Sequence, residues 1–329
     1  MSRLSPLPAA LLSLGFLLSA IGPVDPVRAA ETPAYIAMGD SIAFGVGATN
    51  PSTMGYVGLT FEALRTSERY RDRGLTLVNL SVPGNTSADL LIPAGQLESA
   101  IAEIERRQGD ATAADDNVEI ITVNIGGNDL LSLLDPDSPC FTDAGADPCI
   151  EHFGEVLSGL QRNLEEVLQS LRDAAPSASI IVLDLYNPYS GTQDPREVIT
   201  DLGVGQVNGV VAAAAANPDL KIETASVFQL FQGRGNQWIA ADGLHPNAAG
   251  HSVIAEVALA AIQGRPVAIP DDLLLEPPGP VANLPGQDPS QFSADGDDVP
   301  LIVFAIAIPL MFVAGAVLSA AYFIARGRS

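Results

Sequence analysis

AYIAMGD, residues 34–40, is an apolar run that stops abruptly at Gly39 and Asp40. Three later stretches share its character: LTLVNLSV at 75–82, VEIITVNIG at 118–126 and ASIIVLDLY at 178–186. They are nearly continuous in apolar residues and do not alternate, as expected of strands covered on both faces of a parallel sheet. Strands of that kind need helical crossovers, so the fold class is α/β.

Helical rhythm fills the intervals. Between 155 and 174, Val156, Leu157, Leu160, Leu164, Val167, Leu168 and Leu171 recur every three or four residues, and Pro176 ends the pattern. Residues 56–66 and 248–262 also read as helices, the second opening after Pro246 and closing at Gly264. No internal repeat is present.

The two ends have a different composition. Residues 1–29 carry Arg3, an apolar run from Leu7 to Ile21 and small residues before a cut after Ala29 or Ala30, which describes a secretory signal. Residues 301–325 hold no charge and would reach about 37 Å as a helix, enough to cross a bilayer core of ~30 Å. Asp295, Asp297 and Asp298 precede this segment and Arg326 and Arg328 follow it. The positive-inside rule then leaves a cytoplasmic tail at 326–329 and an extracytoplasmic domain. Residues 265–299 are rich in proline and read as an extended linker, so the folded domain is expected over 30–264, with the transmembrane helix at 300–325. Leu284-Pro285-Gly286-Gln287 lacks the threonine that a wall-sorting signal needs for cleavage, which favours a retained span.

A net charge of −23, from 39 acidic against 16 basic side chains, argues against nucleic acid as a partner. Cys140 and Cys149 are the only cysteines, and in an oxidising compartment they are expected to form a disulfide. No grouping of His, Cys and carboxylates has metal-ligand spacing. Gly39, Gly45 and Gly47 match neither a dinucleotide fingerprint nor a phosphate loop.

In open parallel sheets the ligand site lies beyond the carboxyl ends of the strands. The first apolar run ends in Gly39-Asp40-Ser41, the second in Pro83-Gly84-Asn85-Thr86 and the third in Gly126-Gly127-Asn128-Asp129. Ser41 stands where a nucleophile would be exposed on a tight turn, and a serine needs a base beside it. Of His152, His245 and His251, only His245 has a carboxylate placed to orient it, in Asp242-Gly243-Leu244-His245-Pro246. Asp184, at the end of the fourth run, is the rival acid. His251 falls on the following helix as a structural residue, and His152 lies beside the cysteine loop as a solvated one. The amides of Ser41 and Gly84 and the side chain of Asn128 form a candidate oxyanion hole.

Four ordered blocks, GDS at 39–41, NLSVPGNTS at 79–87, GGND at 126–129 and DGLHPNAAGH at 242–251, resemble those of the SGNH (GDSL-type) hydrolases. The resemblance runs over residues 34–264 and implies a flavodoxin-like three-layer α/β/α sandwich. It also implies Ser41 as nucleophile, His245 as base, Asp242 as orienting acid, and Ser41, Gly84 and Asn128 as oxyanion donors. The first block continues with Ile42 where the family more often has Leu, an apolar exchange. The expected reaction is ester hydrolysis through an acyl-enzyme without a cofactor. Lipid, acylated-glycan and small soluble esters remain open as substrates, and a non-catalytic ligand-binding module on a stalk is the alternative class.

Overall fold

The computed structural model describes residues 32–108, 117–141, 145–274 and 279. The expected signal sequence, most of the linker and the expected transmembrane segment lie outside the described residues.

Five parallel strands form one sheet in the order β2-β1-β3-β4-β5. They are β1 (Ala34–Gly39), β2 (Thr76–Asn79), β3 (Val118–Asn124), β4 (Ser179–Leu183) and β5 (Ile222–Ala225). This is the flavodoxin-like doubly wound order, whose switch point falls between β1 and β3. The helices are α1 (Ser41–Phe44), α2 (Pro51–Met54), α3 (Tyr56–Thr66), α4 (Gln96–Gln108), α5 (Gly127–Leu131), α6 (Asp147–Ala174), α7 (Glu197–Ala215), α8 (Phe228–Phe231), α9 (Gly235–Trp238) and α10 (Ala248–Gln263).

Strand β1 shows why the sheet is sandwiched. Ala34, Ile36 and Met38 point into one core with Ile104 of α4, Leu164 and Leu168 of α6 and Val211 of α7. Tyr35 and Ala37 point into the opposite core with Val57 and Leu64 of α3 and Val253, Ile254 and Val257 of α10. All six residues of β1 are buried, which accounts for its unbroken apolar run. Each large side chain fully buried in these layers stabilises the fold by roughly 1.5–3 kcal/mol.

Several elements differ from the sequence reading. β2 keeps regular pairing only over 76–79, yet its run continues to follow β1, because the Leu80 amide donates to Ala37 O (2.8 Å) and the Val82 amide to Gly39 O (3.1 Å). β5 was not anticipated: Glu223 and Thr224 are exposed and interrupt the apolar pattern. α6 starts at Asp147, eight residues before the expected 155, and so carries Cys149 and Phe153 into the fold. Residues 265–274, expected as the start of an extended linker, pack on the domain. There Arg265 pairs with Glu256 at 2.6 Å, and the Trp238 indole donates to Leu273 O at 3.3 Å. Among the described residues, α7 is the one helix long and apolar enough to cross a membrane. Val204, Val207 and Val211 of that helix are buried against the rest of the domain.

Candidate active site

Ser41 opens α1 directly beyond β1, at the switch point. The turn depends on Gly39, whose φ is +145° and whose missing Cβ would stand 2.2 Å from Asn124 O. A side chain there would push β1 and β3 apart. Asp40 caps the helix, its Oδ1 accepting the Ile42 amide at 2.9 Å. Burial raises the Asp40 carboxyl to about 7, with Asp129 adding to the rise and the Ile42 amide opposing it.

His245 and Asp242 reach Ser41 from the loop between α9 and α10. His245 Nε2 lies 2.8 Å from Ser41 Oγ, and His245 Nδ1 lies 2.7 Å from Asp242 Oδ2. A carboxylate only accepts, so Nδ1 carries the proton and Nε2 presents its lone pair to the serine hydroxyl. Asp242 Oδ1 also accepts the amides of Leu244 and His245, both at 3.0 Å. Burial works against the Asp242 carboxylate, but these amides and the imidazole hold it below its ordinary range. The sequence gap between serine and histidine is closed by chain packing. The His245 carbonyl accepts the Ala240 amide (2.8 Å), and the Asn247 amide donates to Trp238 O (2.8 Å). Asn247 also caps α10 through the Gly250 amide at 3.0 Å.

Gly84 and Asn128 line the same cleft as Ser41 and His245. Gly84 has φ +87°, with open space where a Cβ would be, so the loop places a bare backbone toward the cleft. Asn128 Nδ2 donates to Asn85 O at 2.9 Å, which ties the loop after β2 to the start of α5. Among the described residues, neither the Ser41 nor the Gly84 amide donates to another protein group. The arrangement therefore has a hydroxyl next to a base, and a base next to a carboxylate. It also holds amide donors on neighbouring strand ends, the equipment of acyl transfer.

Asp184 is elsewhere engaged: it accepts from Ser226 Oγ (2.6 Å) and from the amides of Val227 (2.6 Å) and Phe228 (3.1 Å). Burial raises its carboxyl against these bonds. It organises the turn after β5, and the His245 ring bonds to Asp242 and Ser41 instead. His251 is fully buried, its Nδ1 accepting the Tyr56 amide at 3.2 Å and its Nε2 donating to Val46 O at 2.9 Å. Accepting an amide requires Nδ1 to be without a proton, burial lowers the pKa in the same direction, and the residue is structural, as the sequence suggested. His152 lies in α6 one turn after Cys149, its side chain partly exposed and 3.6 Å from Glu155. Cys140 and Cys149 form the expected disulfide.

Two supports escaped the sequence reading. Gln96, buried at the start of α4, accepts the Gly39 amide and donates back to Gly39 O, each at 2.8 Å, and also donates to Asn85 Oδ1 at 2.8 Å. One carboxamide thus clamps the strand end before Ser41 to the loop that carries Gly84. Asp129 accepts the Ser87 amide (2.8 Å) and its hydroxyl, holding the far end of that loop. The Gln96–Gly39 and Asp129–Ser87 contacts each span more than forty residues, and a polar residue on a helix gives no local sign of them.

The sequence model of the GDSL-like lipase/acylhydrolase family matches residues 37–253. Among curated proteins, the spore germination lipase LipC of Bacillus licheniformis is 25% identical over 236 residues, covering 70% of this chain and 97% of LipC. The Bacillus subtilis protein YpmR is 26% identical over 235 residues, 69% of this chain and 80% of its own. Among solved structures, the lipase Lip_vut3 from a goat rumen metagenome superimposes with a TM-score of 0.53 at 22% identity, covering 70% of this chain and 97% of that one. The two therefore share a fold. With its parallel sheet and these blocks in register, the chain belongs to the GDSL-like lipase/acylhydrolase family and is a carboxylic ester hydrolase.

Proposed function

We propose that this chain is an extracytoplasmic, membrane-anchored serine esterase working through Ser41, His245 and Asp242. The observation that carries the reading is the continuous relay from Ser41 Oγ to His245 Nε2 (2.8 Å) and from His245 Nδ1 to Asp242 Oδ2 (2.7 Å). In the first half-reaction Ser41 Oγ attacks the ester carbonyl while its proton passes to His245 Nε2. The tetrahedral oxyanion draws on the amides of Ser41 and Gly84 and the second N–H of Asn128. Collapse breaks the ester C–O bond, and the proton on Nε2 leaves with the alcohol. Water then gives a proton to Nε2, attacks the acyl-enzyme and releases the acid, and the proton returns to Ser41. Asp242 holds the imidazole in the tautomer this needs and stabilises its charged form.

The proposed organisation is a signal over 1–29, a catalytic domain over 30–264 with residues 265–274 packed on it, a linker up to 299, a span over 300–325 and a cytoplasmic tail at 326–329. The disulfide supports an oxidising compartment. A relative named as a spore germination lipase supports a lipid-type ester among the substrates.

The test is hydrolysis of p-nitrophenyl acetate and butyrate by the purified full chain, with Ser41→Ala alongside. Turnover that disappears in the variant supports the reading; a folded parent with no Ser41-dependent turnover on any ester moves a stalked binding module into first place.

A further inference from the structure

The cleft does not end at the reacting groups. The whole cleft, reacting groups included, is a cavity of about 500 Å³, and away from Ser41 and His245 it is bounded by two walls. One wall follows β3: Leu130, Leu133 and Leu134, then the Cys140–Cys149 bond and Phe153 of α6. The other is the first half of α7, with Ile199, Leu202 and Val204. The walls meet at Gly203, where an added Cβ would lie 3.0 Å from Leu130 Cδ1. Thr200 is the single polar side chain on the two walls. Arg196, also at the cleft, is occupied by Asp194 at 2.7 Å and by the face of Tyr189 at 4.2 Å. Leu134, one of the lining residues, is 63% exposed, so the rim of the cavity is apolar there as well.

These walls sort the possible esters. A sugar brings several hydroxyls that must exchange water for protein partners, and walls whose single polar side chain is Thr200 cannot satisfy them. An acetyl group would leave most of the cavity as wetted apolar surface, which is unfavourable. A linear alkyl chain needs no polar partner and gains with each methylene that leaves water. At ~30 Å³ for each heavy atom, the share of a molecule in liquid water, the cavity holds on the order of ten or more carbons.

We propose that this cavity is the acyl subsite of the esterase and takes one linear acyl chain of medium to long length, with the disulfide stapling one wall to the first turn of α6. The proposal rests on the reading of Ser41 as nucleophile. The chain's ester can be a soluble one or a membrane lipid, because the walls recognise only hydrocarbon.

The experiment uses the full chain in lipid nanodiscs and p-nitrophenyl esters from acetate to dodecanoate. kcat/KM is expected to rise about fourfold for each added methylene until the cavity is full. Thr200→Trp and Leu202→Trp, two independent ways of filling the cavity, should each reduce the decanoate-to-butyrate ratio at least tenfold. Decanoate should displace a fluorescent fatty acid from Ser41→Ala, a readout that needs no catalysis. Decanoyl glycerophosphocholine is compared with the soluble decanoate ester, and turnover of either supports the subsite and names the source of the chain. A profile that falls from acetate onward, with Ser41-dependent turnover intact, overturns the subsite and leaves the esterase standing. If no ester shows Ser41-dependent turnover, the esterase reading fails separately, and absence of displaceable binding to Ser41→Ala then overturns the subsite on its own.

Discussion

Ser41 stands at the end of a central, fully buried strand, whereas His245 and Asp242 stand on a loop in which the Asp242 side chain is 45% exposed. The serine side is held from below and beside: Gly39 fits against Asn124, Asp40 caps α1, and Gln96 grips both Gly39 and the Gly84 loop. The histidine side is held by backbone pairing of Ala240 with His245 and of Trp238 with Asn247. Ser41, Gly84 and Asn128, the proposed nucleophile and oxyanion donors, therefore share the rigidity of the sheet. His245 and Asp242, the proposed base and its acid, depend on one loop and on each other. A buried site resists reorganisation, while a solvated carboxylate works through geometry more than through a low dielectric.

The most severe test of this contrast short of removing the serine is Asp242→Asn. It leaves the loop in place but removes the charge that fixes the imidazole tautomer, so kcat should fall on the order of 10³–10⁴-fold. Asp184→Asn should stay within a few-fold, because that carboxylate serves the turn at Ser226–Phe228. The opposite ranking of the two variants would transfer the orienting role to Asp184. On the rigid side, Asn128→Ala removes a proposed oxyanion donor and the tie to Asn85, and a loss of about 10²–10³-fold in kcat is expected with KM little changed. Steady-state kinetics showing full turnover in this variant would remove Asn128 from the hole.

Gln96→Ala tests whether the clamp matters. It leaves the Gly39 amide without its partner, while the Gly39 carbonyl keeps the Val82 amide, and a kcat loss of about tenfold with a destabilisation of roughly 1–3 kcal/mol is expected. Rescue of stability but not kcat by a second-site mutation would assign Gln96 to positioning.

The smallest effect on turnover is expected at Asp40, where stability carries the signal. Its folded carboxyl, raised to about 7 from 3.8, keeps a proton that the unfolded chain has already lost. The folded protein thus binds more protons between about pH 4 and pH 7, and the contribution of this group falls as pH rises through that window. Asp40→Asn keeps an acceptor for the Ile42 amide. Its thermal stability relative to the parent should improve from pH 4 to pH 8, by on the order of 2–4 kcal/mol. A difference independent of pH would mean that Asp40 is ionised throughout.

The legible parts of the molecule were those whose chemistry is local. β1, β3 and β4 are almost wholly buried, Glu119 and Ser179 excepted, so their apolar runs are nearly continuous, and the blocks after β1 and β3 mark those strand ends. Asp242 and His245 are three residues apart, and their contact is a property of one turn. β5 was hidden because its exposed edge carries Glu223 and Thr224. The early turns of α6 were hidden because Gly154 and His152 break the rhythm that begins at Val156. α7 was not recognised because Gly203, Gly205 and Gly209 dilute its helical propensity, although Val204, Val207 and Val211 mark its buried face. Gln96 and Asp129 were invisible as supports because Gly39 and Ser87, which they hold, lie far away along the chain. The apolar cavity needed three dimensions for the same reason, since its walls come from residues 130–153 and 196–204.

The central claim is that Ser41 is the one activated nucleophile and that His245 activates it. The most direct measurement is labelling of the full chain with a fluorophosphonate, read by peptide mass spectrometry in the parent, Ser41→Ala and His245→Ala. The account predicts a single adduct on Ser41 in the parent, none in Ser41→Ala, and labelling slowed by several orders of magnitude in His245→Ala. An adduct on another residue, or labelling of Ser41 at an undiminished rate without His245, would contradict it.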